Sequence, residues 1–358
     1  MERTERQFVS GEITQVYVEL TTHCNLNCRT CVRNSIEDFS PCHFTRHFMR
    51  RLIPMLKSLP ALRRIVLLGF GEALCNPDFA FHMKELRKCG ADMVMVSNAH
   101  FLDREISAFL ASLPVNELWL SWDDDPRTAP HNRRGADAAT FIEKAAMIRE
   151  ARSATGTGLP RLGMEIVAMK SNYKALSSIM KFGREAGIDR FILSNIFPYS
   201  ESMNDEILYT IFEEPGINLV KLMGGKPGSS ELRIARQQAD VLRSCPFIKA
   251  GTVFITAHGD MAPCPELAYT HPAWYFGSRR LHRSCYFGSI KTANLSDSWQ
   301  SRAFTDFRNK FEYFEFPDCS ACSSPDLCWH RTVDNKDCYW NETPCGECLW
   351  AKGIVLCP

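Results

Sequence analysis

Six short apolar runs, each followed by a stretch with helical spacing, constrain this chain more than any other feature. The runs are Gln15–Leu20, Arg64–Leu68, Asp92–Val96, Glu117–Ser121, Met164–Met169 and Arg190–Leu193. Between them, Phe79–Lys88, Asp103–Leu113, Thr140–Arg152 and Tyr173–Ala186 carry apolar residues on one helical face. Strand-then-helix units in series call for a parallel sheet with helices outside it. Right-handed crossovers curl such units toward a full or partial barrel. The rhythm stops after residue 197. Residues 198–244 are polar, include Gly224, Gly225, Pro227 and Gly228, and are expected to form a linker with helices.

Cysteine is the anomaly of composition. There are 16 in 358 residues; six precede residue 245 and the last forty residues hold seven. The amino terminus, MERTERQF, is charged and has no signal-like apolar run after it. No stretch approaches the ~18 apolar residues of a membrane helix. A cytoplasmic chain without a membrane partner is expected, where thiols stay reduced and clustered cysteines bind metal or do chemistry. A net charge of +1 argues against a dedicated nucleic-acid binder. Residues 245–358 leave little room for a conventional core, and small modules of that kind generally need metal.

The first cysteine cluster follows the first strand directly, as Thr21-Thr22-His23-Cys24-Asn25-Leu26-Asn27-Cys28-Arg29-Thr30-Cys31, a C-x3-C-x2-C pattern. Loops at the carboxyl ends of barrel strands carry reactive groups. Cys24, Cys28 and Cys31 can hold three irons of a four-iron cluster and leave the fourth open. The alternative is a three-cysteine zinc site completed by His23.

This pattern in this position resembles the radical SAM enzymes, whose signature loop follows the first strand of a (β/α)6 partial barrel. The resemblance implies a [4Fe-4S] cluster whose open iron binds S-adenosylmethionine (SAM), and reductive cleavage to a 5′-deoxyadenosyl radical. Thr30 departs from the aromatic residue usual before the third cysteine. The turn Gly69-Phe70-Gly71-Glu72-Ala73 looks like the family's Gly-Gly-Glu-Pro turn, with Phe70 and Ala73 as departures. By that likeness Gly71 and Glu72 hold the methionyl end of the cofactor. Asn98 after the third strand, and Ser121 and Asp123 after the fourth, lie where the family contacts the ribose.

The carboxy-terminal part resembles the SPASM module, through Cys245, Gly259 and Cys264, then Cys319-x2-Cys322-x5-Cys328, Cys338, Cys345-x2-Cys348 and Cys357. That likeness implies two auxiliary [4Fe-4S] clusters. The pattern expects a further cysteine where Thr332 stands. The expected grouping puts Cys319, Cys322 and Cys328 with a ligand from the terminal group, and Cys245 and Cys264 with Cys338. The spacing of Cys319, Cys322, Cys345 and Cys348 also suits a zinc ribbon. The segment from Cys338 to Pro358 is similar to the tail of maturases for tungsten-cofactor oxidoreductases of the aldehyde:ferredoxin oxidoreductase type.

The expectation is therefore an α/β chain: a partial barrel over 1–197, a linker over 198–244 and a cysteine-rich iron–sulfur domain over 245–358. Its implied partners are a protein or peptide substrate, such as a tungsten-dependent oxidoreductase, and a reductant such as ferredoxin or flavodoxin. Modification of a ribosomally made peptide is one alternative, and a zinc-stabilised binding protein without chemistry is another. No catalytic acid or base is named by these residues. Cys42, Cys75 and Cys89 read as small buried hydrophobes. Arg133 and Arg134 are expected to face solvent, and Tyr269–Phe287 to be a packed loop or a lid.

Overall fold

The structure is a computed structural model that describes residues 7–358 apart from 37–38, 212, 223–230, 240–242, 276–277, 325–326 and 331–335. The glycine-rich stretch 224–228 and Thr332 lie outside the described residues. Each expected run is a strand: β1 (Gln15–Val18), β2 (Arg64–Leu67), β3 (Asp92–Ser97), β4 (Glu117–Ser121), β5 (Arg161–Ala168) and β6 (Arg190–Asn195). Outside them lie helices α1 (Arg46–Lys57), α2 (Phe79–Arg87), α3 (Arg104–Ser112), α4 (Ala138–Thr155) and α5 (Leu176–Glu185). Side-chain oxygens of Thr45, Asp103 and Asp137 accept backbone N–H groups at the starts of α1, α3 and α4, which fixes where those helices begin.

The sheet is larger than six strands. β7 (Glu231–Ile234) pairs in parallel with β6, so the segment read as a linker also supplies a strand. β8 (Thr252–Ile255) pairs in parallel with the free side of β1, and β9 (Met261–Ala262) pairs antiparallel with β8. The order is β7-β6-β5-β4-β3-β2-β1-β8-β9. β7 and β9 are edges among the described residues, which makes the barrel partial. The segment Tyr269–Phe287 is mostly an antiparallel hairpin, β10 (His271–Tyr275) and β11 (Ser278–His282), rather than a loop.

Alternation along the strands builds two cores. Val16, Ile65, Met93, Leu118, Met164 and Phe191 face the helices, against Leu52, Met83, Leu110 and Ile179. Tyr17, Val66, Val94, Trp119, Ile192 and Phe254 fill the interior, and that core runs on into Phe247, Phe311 and Trp350 of the carboxy-terminal part. The amino ends of the strands are shut by Glu117, which pairs with Arg161 at 3.0 Å, Arg190 at 3.2 Å and Arg64 at 3.4 Å. The interior is therefore accessible from the carboxyl ends, where the cysteine loop sits.

Candidate active site

The loop after β1 is held from two sides. Thr22 N–H donates to the Cys42 carbonyl at 3.0 Å, and Cys42 N–H donates back to Thr22 Oγ1 at 2.8 Å. On the other side Arg29 N–H donates to the Asn132 carbonyl at 2.8 Å. Inside the loop the Arg33 guanidinium donates to Leu26 O at 2.7 Å and Asn34 Nδ2 to Cys28 O at 3.0 Å. The backbone is thus fixed while Cys24, Cys28 and Cys31 remain half-buried.

The turn after β2 lies against this loop. A Cβ on Gly71 would stand 2.2 Å from Thr21 O and 2.6 Å from His23 O, so only glycine permits that approach. Glu72 N–H donates to His23 O at 2.8 Å. Its buried carboxylate accepts from Asn98 N–H at 2.8 Å, Ser97 Oγ at 3.0 Å and Leu74 N–H at 3.3 Å. Burial pushes this carboxyl above its ordinary range, and the three donors work against that rise. Glu19, just after β1, ties the turn to the carboxy-terminal part: it accepts from Phe70 N–H at 2.8 Å, from Ala257 N–H at 3.0 Å and from the Tyr269 hydroxyl.

Between the loop and this turn opens a cleft of about 700 Å³, lined by Cys24, Cys28, Cys31, Gly69, Gly71, Glu72, Ser97, Asn98, Ser121 and Arg133. Asn98 Nδ2 donates to Asn25 Oδ1 at 2.9 Å and lies 3.7 Å from Cys24 Sγ. Asp123 does not reach the cleft. It is 1 % exposed, accepts from Val167 N–H at 2.7 Å and pairs with Arg133 Nε at 2.7 Å. Arg133 corrects the expectation of a solvent-facing arginine pair, because its side chain is only 15 % exposed and borders the cleft. Burial pushes the Cys28 thiol up to about 11, and the Arg133 charge pulls it back toward thiolate.

The remaining cysteines sort differently from the expectation. Cys245, Cys264, Cys345 and Cys348 line one largely apolar pocket, walled by Phe247, Ile248, Leu267, Phe307 and Phe311. Burial raises all four thiols, to about 11 for Cys245 and about 12 for Cys348. Cys338, expected with Cys245 and Cys264, instead stands near enough to Cys319 to raise its thiol further. Cys322 ends the short helical turn Cys319–Ala321 and is exposed, as is Cys338. Cys357 stands apart, beside Tyr17 and Arg233, with its sulfur accepting from Trp350 Nε1 at 3.2 Å. Cys42, expected as a buried hydrophobe, has its sulfur 3.4 Å from His258 Nε2.

Among the described residues no three thiols all stand within 4.8 Å of one another. A single tetrahedral zinc would hold its sulfur ligands closer, ~3.8 Å apart. Three thiols on a cleft with polar groups beside them, and four in an apolar pocket, instead fit iron–sulfur clusters with and without an open iron.

Comparison with known proteins agrees. Residues 18–171 match the radical SAM superfamily, and residues 245–323 match the SPASM iron-sulfur cluster-binding domain. The chain is a radical SAM enzyme with a SPASM domain. Its radical SAM domain binds a four-iron cluster and SAM, and its SPASM domain binds auxiliary iron–sulfur clusters. The zinc-stabilised binding protein is thereby set aside. The enzyme is 28 % identical over 350 residues to the tungsten-containing aldehyde ferredoxin oxidoreductase cofactor-modifying protein of Pyrococcus furiosus, covering 96 % of each chain. Two solved structures share its fold. One is Streptococcus suis SuiB bound to the precursor peptide SuiA, with a TM-score of 0.61, 14 % identity, and 95 % of this chain and 77 % of that one covered. The other is anSMEcpe with bound AdoMet, with a TM-score of 0.61, 14 % identity, and 93 % and 94 % covered. No helix among the described residues is long and apolar enough to cross a membrane.

Proposed function

We propose that this radical SAM enzyme is a maturase that modifies a tungsten-dependent aldehyde oxidoreductase or the cofactor bound to it. The observation that carries the reading is the similarity to the cofactor-modifying protein, which runs through 96 % of both chains and so includes the cysteine-rich tail. When bound, the cluster and SAM supply a 5′-deoxyadenosyl radical that abstracts hydrogen from the substrate.

The chain's own residues divide the work. Cys24, Cys28 and Cys31 hold the catalytic cluster. Gly71 would leave backbone open to the cofactor, and the Glu72 carboxylate, held still by Ser97 and Asn98, would supply an anionic partner for its ammonium group. Asn98 and Ser121 line the rest of the cofactor's path. Arg133, oriented by Asp123, is the cleft's cation and favours anionic groups there. Cys245, Cys264, Cys345 and Cys348 hold one auxiliary cluster; Cys319, Cys322, Cys328 and Cys338 hold a second; Cys357 ligates neither. The apolar walls of the four-thiol pocket would lower the polarity around its cluster.

The catalytic part takes in residues 1–197 and β7 from the connecting segment 198–244, and β8 and β9 extend its sheet from the auxiliary-cluster domain 245–358. A reducing cytoplasm, where thiols stay available to clusters, and a reductant such as ferredoxin or flavodoxin complete this reading. The test is anaerobic incubation with SAM, a strong reductant and either apo-oxidoreductase or candidate precursor peptides. Activation of the oxidoreductase together with 5′-deoxyadenosine release is expected. Turnover with a peptide and none with the oxidoreductase would reject the maturase reading.

A further inference from the structure

The SPASM domain holds a second kind of donor set, with no sulfur in it. His271 opens β10 and His282 closes β11, and the two are direct partners across the hairpin. Glu266 lies five residues before His271, in the turn that follows Cys264. Both histidines are 0 % exposed and Glu266 is 4 % exposed. One ligand atom from each of the three lies within 4.8 Å of the other two.

Hydrogen bonding alone leaves this group unbalanced. His271 Nδ1 is 3.0 Å from the Pro272 carbonyl, while its Nε2 is 3.2 Å from the Glu266 carbonyl and 3.5 Å from Glu266 Oε1. All three neighbours are acceptors, and a neutral imidazole has one N–H to give. Burial works against a second proton on the ring. His282 Nδ1 lies 2.6 Å from Glu266 Oε1, yet neither that nitrogen nor either carboxylate oxygen makes an aligned hydrogen bond. The outer nitrogen of His282 is 2.9 Å from the Tyr275 hydroxyl. Each imidazole thus has its far nitrogen held by a neighbour and its near nitrogen directed at the same carboxylate, the arrangement in which metal-binding histidines are oriented.

We propose that Glu266, His271 and His282 bind one divalent zinc ion, separate from the iron–sulfur clusters. With zinc in place, His271 Nδ1–H donates to Pro272 O and Nε2 gives its lone pair to the metal. His282 donates Nε2–H to the Tyr275 oxygen and ligates through Nδ1, and the carboxylate supplies the anionic ligand. The ion then gives the His282 Nδ1 lone pair and the Glu266 carboxylate the partner they otherwise lack. Glu266 and His282 also line the four-thiol pocket, so the ion braces the hairpin against the wall of that pocket.

The experiment is metal analysis of the full-length enzyme after iron–sulfur reconstitution and supply of one equivalent of zinc, joined to X-ray absorption at the zinc edge. One zinc per chain is expected, with nitrogen and oxygen ligands at ~2.0–2.1 Å and no sulfur shell at ~2.3 Å. His271→Gln should lower zinc at least tenfold while the iron content stays that of the wild type. Failure of the wild-type enzyme to retain zinc, or a sulfur shell around it, overturns the site. So does full zinc retention by His271→Gln. The absorption spectrum of the wild-type enzyme decides the matter even if that variant fails to fold.

Discussion

Two groups of cysteines in this enzyme sit in opposite surroundings. Cys24, Cys28 and Cys31 are half-buried on a cleft of about 700 Å³ that places glycine backbone, Glu72, Asn98, Ser121 and Arg133 among apolar strand residues. Cys245, Cys264, Cys345 and Cys348 line a largely apolar pocket among phenylalanine, leucine and isoleucine. Three donors with polar groups beside them leave room for a reacting molecule. Four donors in an apolar shell leave none, and such a site would lower the polarity around its group. The surroundings, more than the residue type, separate catalytic from auxiliary duty.

The sharpest way to break this contrast is to remove one thiol from each group. Cys28→Ala should bring 5′-deoxyadenosine formation down to background and remove ~4 of ~12 irons, read by chromatography and iron assay. Cys348→Ala should lose a similar share of iron but keep SAM cleavage, while product formation on the true substrate disappears. If both variants abolished SAM cleavage equally, the division between the two groups would fail.

Smaller effects test the walls of the cleft. Gly71→Ala pushes a methyl group into Thr21 O and His23 O, and should cost about 2 kcal/mol in urea unfolding. Because the displaced backbone borders the cofactor, SAM affinity should also weaken ~10-fold by calorimetry, or about 1.4 kcal/mol. Unchanged stability would mean that the turn does not press on the cysteine loop.

The smallest expected effect concerns Glu165, which faces Arg133, Asp123, Arg233, Ser121 and Cys357. Burial pushes its carboxyl from its ordinary 4.5 to about 7, against the pull of Arg133. The native state therefore holds this proton more tightly than the unfolded chain does. Its contribution to stability is present at low pH and is lost as pH rises from about 4.5 to about 7. Glu165→Gln should leave stability at pH 4 unchanged and raise it at pH 8 by about 1 kcal/mol after solvent screening. Thermal unfolding at the two pH values measures this, and a variant less stable at pH 8 would contradict it.

Much of this was legible in the chain. The six apolar runs are strands because their residues pack on both faces of a parallel sheet, so periodicity and β-branched content coincide. The C-x3-C-x2-C loop was readable because all three donors lie within eight residues. Other features were not. β7 has four residues, too few for a periodic signal, and β8 shows its role only beside β1, more than 230 positions earlier. Arg133 looked like half of a surface pair, since nothing local announces that its charge turns inward to Asp123. Nor does spacing along the chain announce that the fold carries Cys345 and Cys348 to Cys245 and Cys264, while Cys338 stands near Cys319.

The sequence by itself therefore determined the barrel's strands, the catalytic cysteine loop and the kind of chemistry it supports. All of these rest on spacings of a few residues, within which backbone geometry leaves little choice. Only the tertiary structure decided which distant cysteines share a pocket, which arginine borders the cleft, and that two histidines and a glutamate converge beneath a hairpin. The cysteines and the arginine meet over about a hundred residues of chain, where packing of the whole core sets the distances, and the glutamate and histidines meet only once their hairpin has formed.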